Sequence, residues 1–164
     1  MKIVKVMVVA ALAAGCGEAT FSAHLRDNNV EDIKRAMQAS APPQKGGGHM
    51  AFLAAATRPL AAAASFYGGG IAPEQPRFFA PLGERLAEVR GALLLVYGAD
   101  DEGIAPGEHA RIAQTLSAHK KRYTLSVYPG APHGFASRDR ESYRPVQAEA
   151  AWAQALALFD ATLR

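Results

Sequence analysis

Apolar residues fall into two spacings along this chain, and the two alternate. Leu93, Leu94, Leu95 and Val96 follow one another within Ala92–Tyr97, a run apolar on both faces, as a strand buried in a parallel sheet must be. Ala61–Tyr67 and Tyr123–Tyr128 read as further strands. Around them the period lengthens. Val30, Ile33, Ala36 and Met37 share one face of a helix over Asn29–Met37, capped by Asn28 or Asn29 and ended by Pro42 and Pro43. Gly46, Gly47 and Gly48 form a tight turn, and His49–Ala56 reads as a helix packed closely through its alanines. Ile71–Ala80 is a Pro-containing loop, and Pro81–Val89 a weak helix or turn. Glu108–Ala118 is amphipathic, and Gln147–Leu163 closes the chain with Trp152, Leu156, Phe159 and Leu163 at helical steps. Strands alternating with helices predict an α/β fold, a parallel sheet with flanking helices.

The first fifteen residues carry a different signal. Lys2 and Lys5 precede an apolar run, Val6–Ala14, and then Leu12-Ala13-Ala14-Gly15-Cys16. A basic start, a short apolar region and small residues before a cut form the secretory pattern. The last five residues resemble a bacterial lipobox, which makes 1–15 a leader and Cys16 a lipidation site, with the chain held in the cell envelope or periplasm. The alternative is a buried strand over Ile3–Ala10, which is rich in β-branched residues.

The 164 residues, 49% hydrophobic and 20% charged, suit one globular domain, here 16–164. A net charge of +3, scattered along the chain, does not argue for nucleic acid. The Lys120-Lys121-Arg122 run suits a helix end in solvent. With Cys16 alone, neither an intramolecular disulfide nor a multi-cysteine metal site can form. No stretch reaches the roughly 20 apolar residues of a membrane-spanning helix.

In open parallel sheets, functional groups gather past the carboxyl ends of the strands. Two such ends carry chemistry. After Leu93–Tyr97, Gly98 turns the chain and Asp100, Asp101 and Glu102 follow. After Val127–Tyr128, Pro129 and Gly130 turn it and His133 is presented beside Gly134. An acid and a later His on such loops match two roles of a nucleophile–acid–His triad, in the chain order of α/β-hydrolases. By spacing alone, a turn-forming Asp and a structural His remain the more common meaning of such positions.

Several ordered blocks resemble the dienelactone hydrolase family over His49–Leu163. His49-Met50-Ala51-Phe52 is similar to the helix after that family's nucleophile, and Ser65-Phe66-Tyr67-Gly68 to its next strand. Leu95–Ile104 resembles the stretch with the triad acid, and places it at Asp101, not Asp100. Tyr128–Phe135 resembles the stretch with the triad base, His133. Tyr143 and the Ala150-Ala151-Trp152 helix are similar to the family's end. The resemblance implies a truncated α/β-hydrolase fold and metal-free, cofactor-free hydrolysis of a lactone or ester by a Cys or Ser on a strand-to-helix turn.

The chain departs from the family at that turn. Gly47 and Gly48 are in place and Gly46 fills the variable position, but Lys45 stands where the Cys should be. Pro43 stands where the first Gly should be, and Ser40–Gln44 replaces the strand that should feed the turn. The family's first strands, and the loop giving half its oxyanion hole, have no counterpart; one such donor is worth about 100- to 1,000-fold in rate. Nothing in the sequence argues for the burial or neighbouring cation that would make Lys45 a nucleophile. Cys16 would approach His133 only if the N-terminal segment stood in for the missing strand, an arrangement the leader reading weighs against. Arg138 could pair with a substrate carboxylate, or be a surface arginine.

Two functions follow: a lactone or ester hydrolase using Asp101 and His133 on a small molecule, or a lipid-anchored envelope protein that keeps the scaffold as a binding or structural remnant. Exposed strand edges also leave room for an oligomer or a completing partner chain.

Overall fold

The computed structural model describes residues 7–10 (backbone only), 47–74 and 81–163. The helix expected over Asn29–Met37, the glycine turn at Gly46, and both Cys16 and Lys45 lie outside the described residues.

Four strands, β1 (Met7–Ala10), β2 (Ala62–Phe66), β3 (Ala92–Gly98) and β4 (Tyr123–Tyr128), form one sheet in that order, all parallel. Each neighbouring pair therefore needs a crossover, and right-handed crossovers in a steadily advancing order put every connection on one face. Helix α1 (Gly47–Thr57) lies between β1 and β2, a 3-10 helix (Gly83–Glu88) between β2 and β3, and α2 (Pro106–Ala118) between β3 and β4. These three pack side by side in that sequence. Helix α3 (Pro145–Leu163) takes the other face. Successive strand residues point to opposite faces, and two neighbours in β2 mark which is which. The Ser65 hydroxyl donates to the Gly48 carbonyl of α1 at 2.8 Å, and the Phe66 ring stacks on Trp152 of α3 with centroids 4.5 Å apart.

All of β2 is buried, and so is β3 from Leu93 onward. The core is built on Phe52, Phe66, Leu95, Tyr97, Ile112, Leu116, Phe135 and Phe159. Helices α2 and α3 each begin two residues before the predicted start, because Pro106 and Pro145 sit in the first turn, where a missing N–H costs nothing.

Beside β2 the structure places a strand within the Ile3–Ala10 run, which the sequence offered as the alternative to a leader. Met7–Ala10 pairs with β2, Met7 opposite Ala62 and Ala10 opposite Ser65, and α1 packs on both strands. The N-terminal segment thus supplies the strand at the position from which a chain would run into α1. A strand apolar on both faces needs a partner at each edge for its backbone N–H and C=O groups, and these four residues, inside the β-branched Ile3–Ala10 run, satisfy one edge of β2.

Candidate active site

Three loops meet past the carboxyl ends of β2, β3 and β4. The β3 and β4 loops are joined backbone to backbone: Ala99 N–H donates to the Tyr128 carbonyl at 2.8 Å and Asp100 N–H to the Ala131 carbonyl at 3.1 Å. This contact requires Gly98, since a Cβ there would overlap the Ala131 carbonyl. The loops then diverge just enough to set an acid against an imidazole.

Nδ1 of His133 lies 2.7 Å from Oδ2 of Asp101. The other carboxylate oxygen, Oδ1, accepts the Gly103 N–H at 2.9 Å, so both oxygens are held. The Asp101 side chain has no exposed surface, whereas the His133 side chain is 47% exposed. A ring nitrogen facing a carboxylate carries the proton, so the lone pair of a neutral His133 falls on Nε2. That is the tautomer a general base needs, on the one member of the pair that solvent and substrate can reach. Asp100, by contrast, is exposed. Gly134 follows at φ +80, in the left-handed region that favours glycine, and turns the chain after His133.

Around the pair lies a layer of residues that sequence reasoning passed over. Tyr67, directly after β2, packs its ring 5.3 Å from that of His133, and its hydroxyl accepts the Ala136 N–H. Burial pushes its phenol well above the ordinary range, opposed by the Ala136 N–H and by Arg140 and reinforced by Asp101. Tyr97, fully buried in β3, donates to the Gly68 carbonyl at 3.3 Å and is likewise raised by burial, then by Glu108 and Asp101. His109 lies over the Tyr97 ring at 4.2 Å. Glu108 accepts the Ala72 N–H at 3.1 Å while Arg111 donates to the Ala72 carbonyl at 2.7 Å, so α2 grips both sides of one peptide position. His49 reaches from α1 to the Gly69 carbonyl at 3.1 Å; burial lowers its pKa, with Gly69 and Glu108 opposing. The sequence signals were present: an aromatic at a strand end before Gly68-Gly69-Gly70, and an acid–His pair on α2 between its apolar positions.

Arg138 is exposed further along the His133 loop. Among the described residues, no group of three or more His, Cys, Asp or Glu side chains could hold a metal ion. Nor, among them, is any helix long and apolar enough to cross a membrane.

Residues 46–163 match the model of the Dienelactone hydrolase family. A protein of Synechocystis sp. named for carboxymethylenebutenolidase is 32% identical over 118 residues, covering 72% of this chain and 48% of its own length. A Bradyrhizobium protein named for 2-oxo-3-(5-oxofuran-2-ylidene)propanoate lactonase is 33% identical over 110 residues, 65% of this chain and 43% of that one. The chain thus spans about half the length of the curated relatives it matches. Among solved structures, one described as a dienelactone hydrolase of Klebsiella pneumoniae superposes with a TM-score of 0.64 at 25% identity, over 80% of this chain and 60% of that one. A dienelactone hydrolase-like promiscuous phosphotriesterase from metagenomic libraries shares the fold, with a TM-score of 0.60 at 18% identity over 81% of this chain and 59% of the other.

Proposed function

The chain belongs to the dienelactone hydrolase family, and from that premise we propose that it hydrolyses a small-molecule lactone or carboxylic ester through Asp101 and His133. The observation that carries this reading is the 2.7 Å contact between a buried carboxylate and a half-exposed imidazole. Nε2 of His133 takes the proton of the attacking nucleophile. Asp101 holds the ring in that tautomer and stabilises the imidazolium, and the same proton then goes to the departing alkoxide oxygen. Lys45 holds the sequence position of the family's nucleophile, so the identity of the attacking group is the open chemical element of the proposal. Arg138 is positioned in sequence to meet a substrate carboxylate, and its exposure is compatible with that.

A second reading is favoured by Lys45 itself: a lipid-anchored envelope protein, attached through Cys16, that keeps the acid and base as remnants of a hydrolase. Fractionation of cells carrying the wild-type chain and Cys16→Ser tests the anchor; release by the variant supports it, and equal distribution removes it.

The test of the enzymatic reading is hydrolysis of p-nitrophenyl acetate and a simple lactone by the purified chain, beside His133→Ala, Lys45→Cys and Cys16→Ser. Turnover abolished in His133→Ala supports the proposal. If Cys16→Ser abolishes it as well, the nucleophile is Cys16. Activity appearing only in Lys45→Cys means a site complete but for its nucleophile. A folded chain inert in every form leaves the remnant reading.

A further inference from the structure

The base is presented by a loop, not by a regular element, and its imidazole is half-exposed. Something must hold that loop at the height where Nδ1 meets Asp101. We infer that Tyr67 is this positioning residue: its hydroxyl anchors the His133 loop and its ring backs the imidazole. The inference rests on the Asp101–His133 reading above.

Four observations converge on Tyr67. Its backbone is tied to the strand that carries the acid, since Tyr67 N–H donates to the Val96 carbonyl at 2.9 Å. Its side chain is tied to the loop that carries the base, through the Ala136 N–H, a contact 69 positions away in sequence. Its ring meets the His133 imidazole at 5.3 Å on one side and the edge of Phe135 at 5.3 Å on the other. Its backbone sits at φ +53, in the left-handed region that side chains with a Cβ rarely adopt. A strained aromatic residue persists only where its surroundings over-determine it, and such residues gather at functional sites. A glycine would suit that backbone better and would supply neither the hydroxyl nor the ring. Tyr67 therefore links all three loops: it ends β2, is fixed on β3 and holds the loop after β4.

Burial keeps the phenol neutral, so the hydroxyl oxygen accepts from Ala136 as an ordinary uncharged group. Losing it would strand the Ala136 N–H in the interior, and a loop that must find water for that group cannot keep its native position.

Proton NMR of the full chain tests this without requiring turnover. An Nδ1 proton held by a carboxylate resonates far downfield and exchanges slowly; His133→Ala assigns it. In Tyr67→Phe, which keeps the ring, exchange of that proton should quicken by about tenfold or the resonance should vanish. Tyr123→Phe loses a hydroxyl that contacts Ser117 and Ala113 near the end of α2, and should leave the resonance unchanged. An unaltered resonance and exchange rate in Tyr67→Phe overturns the inference and leaves the acid–base pair standing. A wild-type spectrum without any such proton overturns the pair, and the inference with it. The Ala136 amide gives a second readout that needs no variant: it should be protected from exchange in the wild-type chain, and free exchange there would overturn the anchoring role.

Discussion

Gly98 lies so close to Ala131 that a Cβ on residue 98 would collide with the Ala131 carbonyl oxygen. The collision is between two backbones, so neither side can yield by rotating a side chain. Because this contact sets the separation of the acid and base loops, Gly98→Ala is expected to destabilise the fold by more than about 2 kcal/mol, in the upper part of the overpacking range. Urea melts of Gly98→Ala beside Gly107→Ala would show it. At Gly107 a Cβ would meet only the far end of the Arg111 side chain at 3.3 Å. Alanine favours a helix over glycine, so Gly107→Ala should be neutral or stabilising by up to about 1 kcal/mol. Equal losses in both variants would contradict this account of the loop contact.

The Glu108–Ala72–Arg111 clamp makes a separate prediction. Glu108 is buried, and its Oε1 satisfies the Ala72 N–H on the loop that follows β2. Glu108→Ala leaves that donor without its partner and should cost about 1–3 kcal/mol, whereas Glu108→Gln keeps an acceptor oxygen and should cost less. Thermal melts of the two variants decide between this and a purely ionic role, under which both would lose equally.

Much of this architecture was legible in the sequence, for a physical reason. A strand buried on both faces has to be apolar throughout, so Leu93–Val96 announced the centre of the sheet. Parallel strands need crossovers, so the helical periods between them announced the layers. Asp101 and His133 were legible as candidates because loops past strand ends carry chemistry, and the family resemblance pointed to Asp101 over Asp100 where spacing alone could not. Burial explains that choice: Asp101 turns inward to His133 and Asp100 faces solvent. For Met7–Ala10 the sequence offered both a leader and a buried strand, because a short apolar run after two lysines fits either, and the pairing with β2 has the form of the second. Tyr67 and Glu108 carried only the weak signals of an aromatic at a strand end and an acid within a helix, because their partners, Ala136 and Ala72, are backbone groups far away in sequence that no side-chain pattern reveals.

Two buried histidines give the fold a pH dependence of defined sign. Burial lowers the pKa of His109, with Glu108 and Asp101 opposing, and burial lowers that of His49 as well. Each binds its proton less readily folded than unfolded, where the value is 6.5. The unfolded chain therefore takes up more protons as pH falls, and stability from these two groups is complete above 6.5 and lost below it. The Nε2 of His109 is buried without a partner among the described residues, and its ring lies over Tyr97. The melting temperature should fall between about pH 7 and pH 5, and His109→Gln should flatten part of that slope. A slope identical in His109→Gln would remove His109 from the explanation.

The division of labour between Asp101 and His133 can be tested by one substitution that barely alters shape. Asp101→Asn keeps an oxygen for the Gly103 N–H and places an amide NH2 opposite Nδ1. An NH2 group donates, so Nδ1 must become the acceptor and the proton moves to Nε2. The imidazole then presents an N–H where the mechanism needs a lone pair. In whichever form of the chain hydrolyses p-nitrophenyl acetate, wild type or Lys45→Cys, the rate should fall by roughly four orders of magnitude, the scale of the same tautomer reversal in serine proteases. Stability should change far less than for Asp101→Ala, which strands both the Gly103 N–H and the imidazole donor. The tautomer itself is readable from the 15N shifts of the ring at high pH, with Nε2 rather than Nδ1 protonated in the variant. Full activity in Asp101→Asn would mean that His133 works without a fixed tautomer, and the buried carboxylate would then be a structural anchor for the β3 loop.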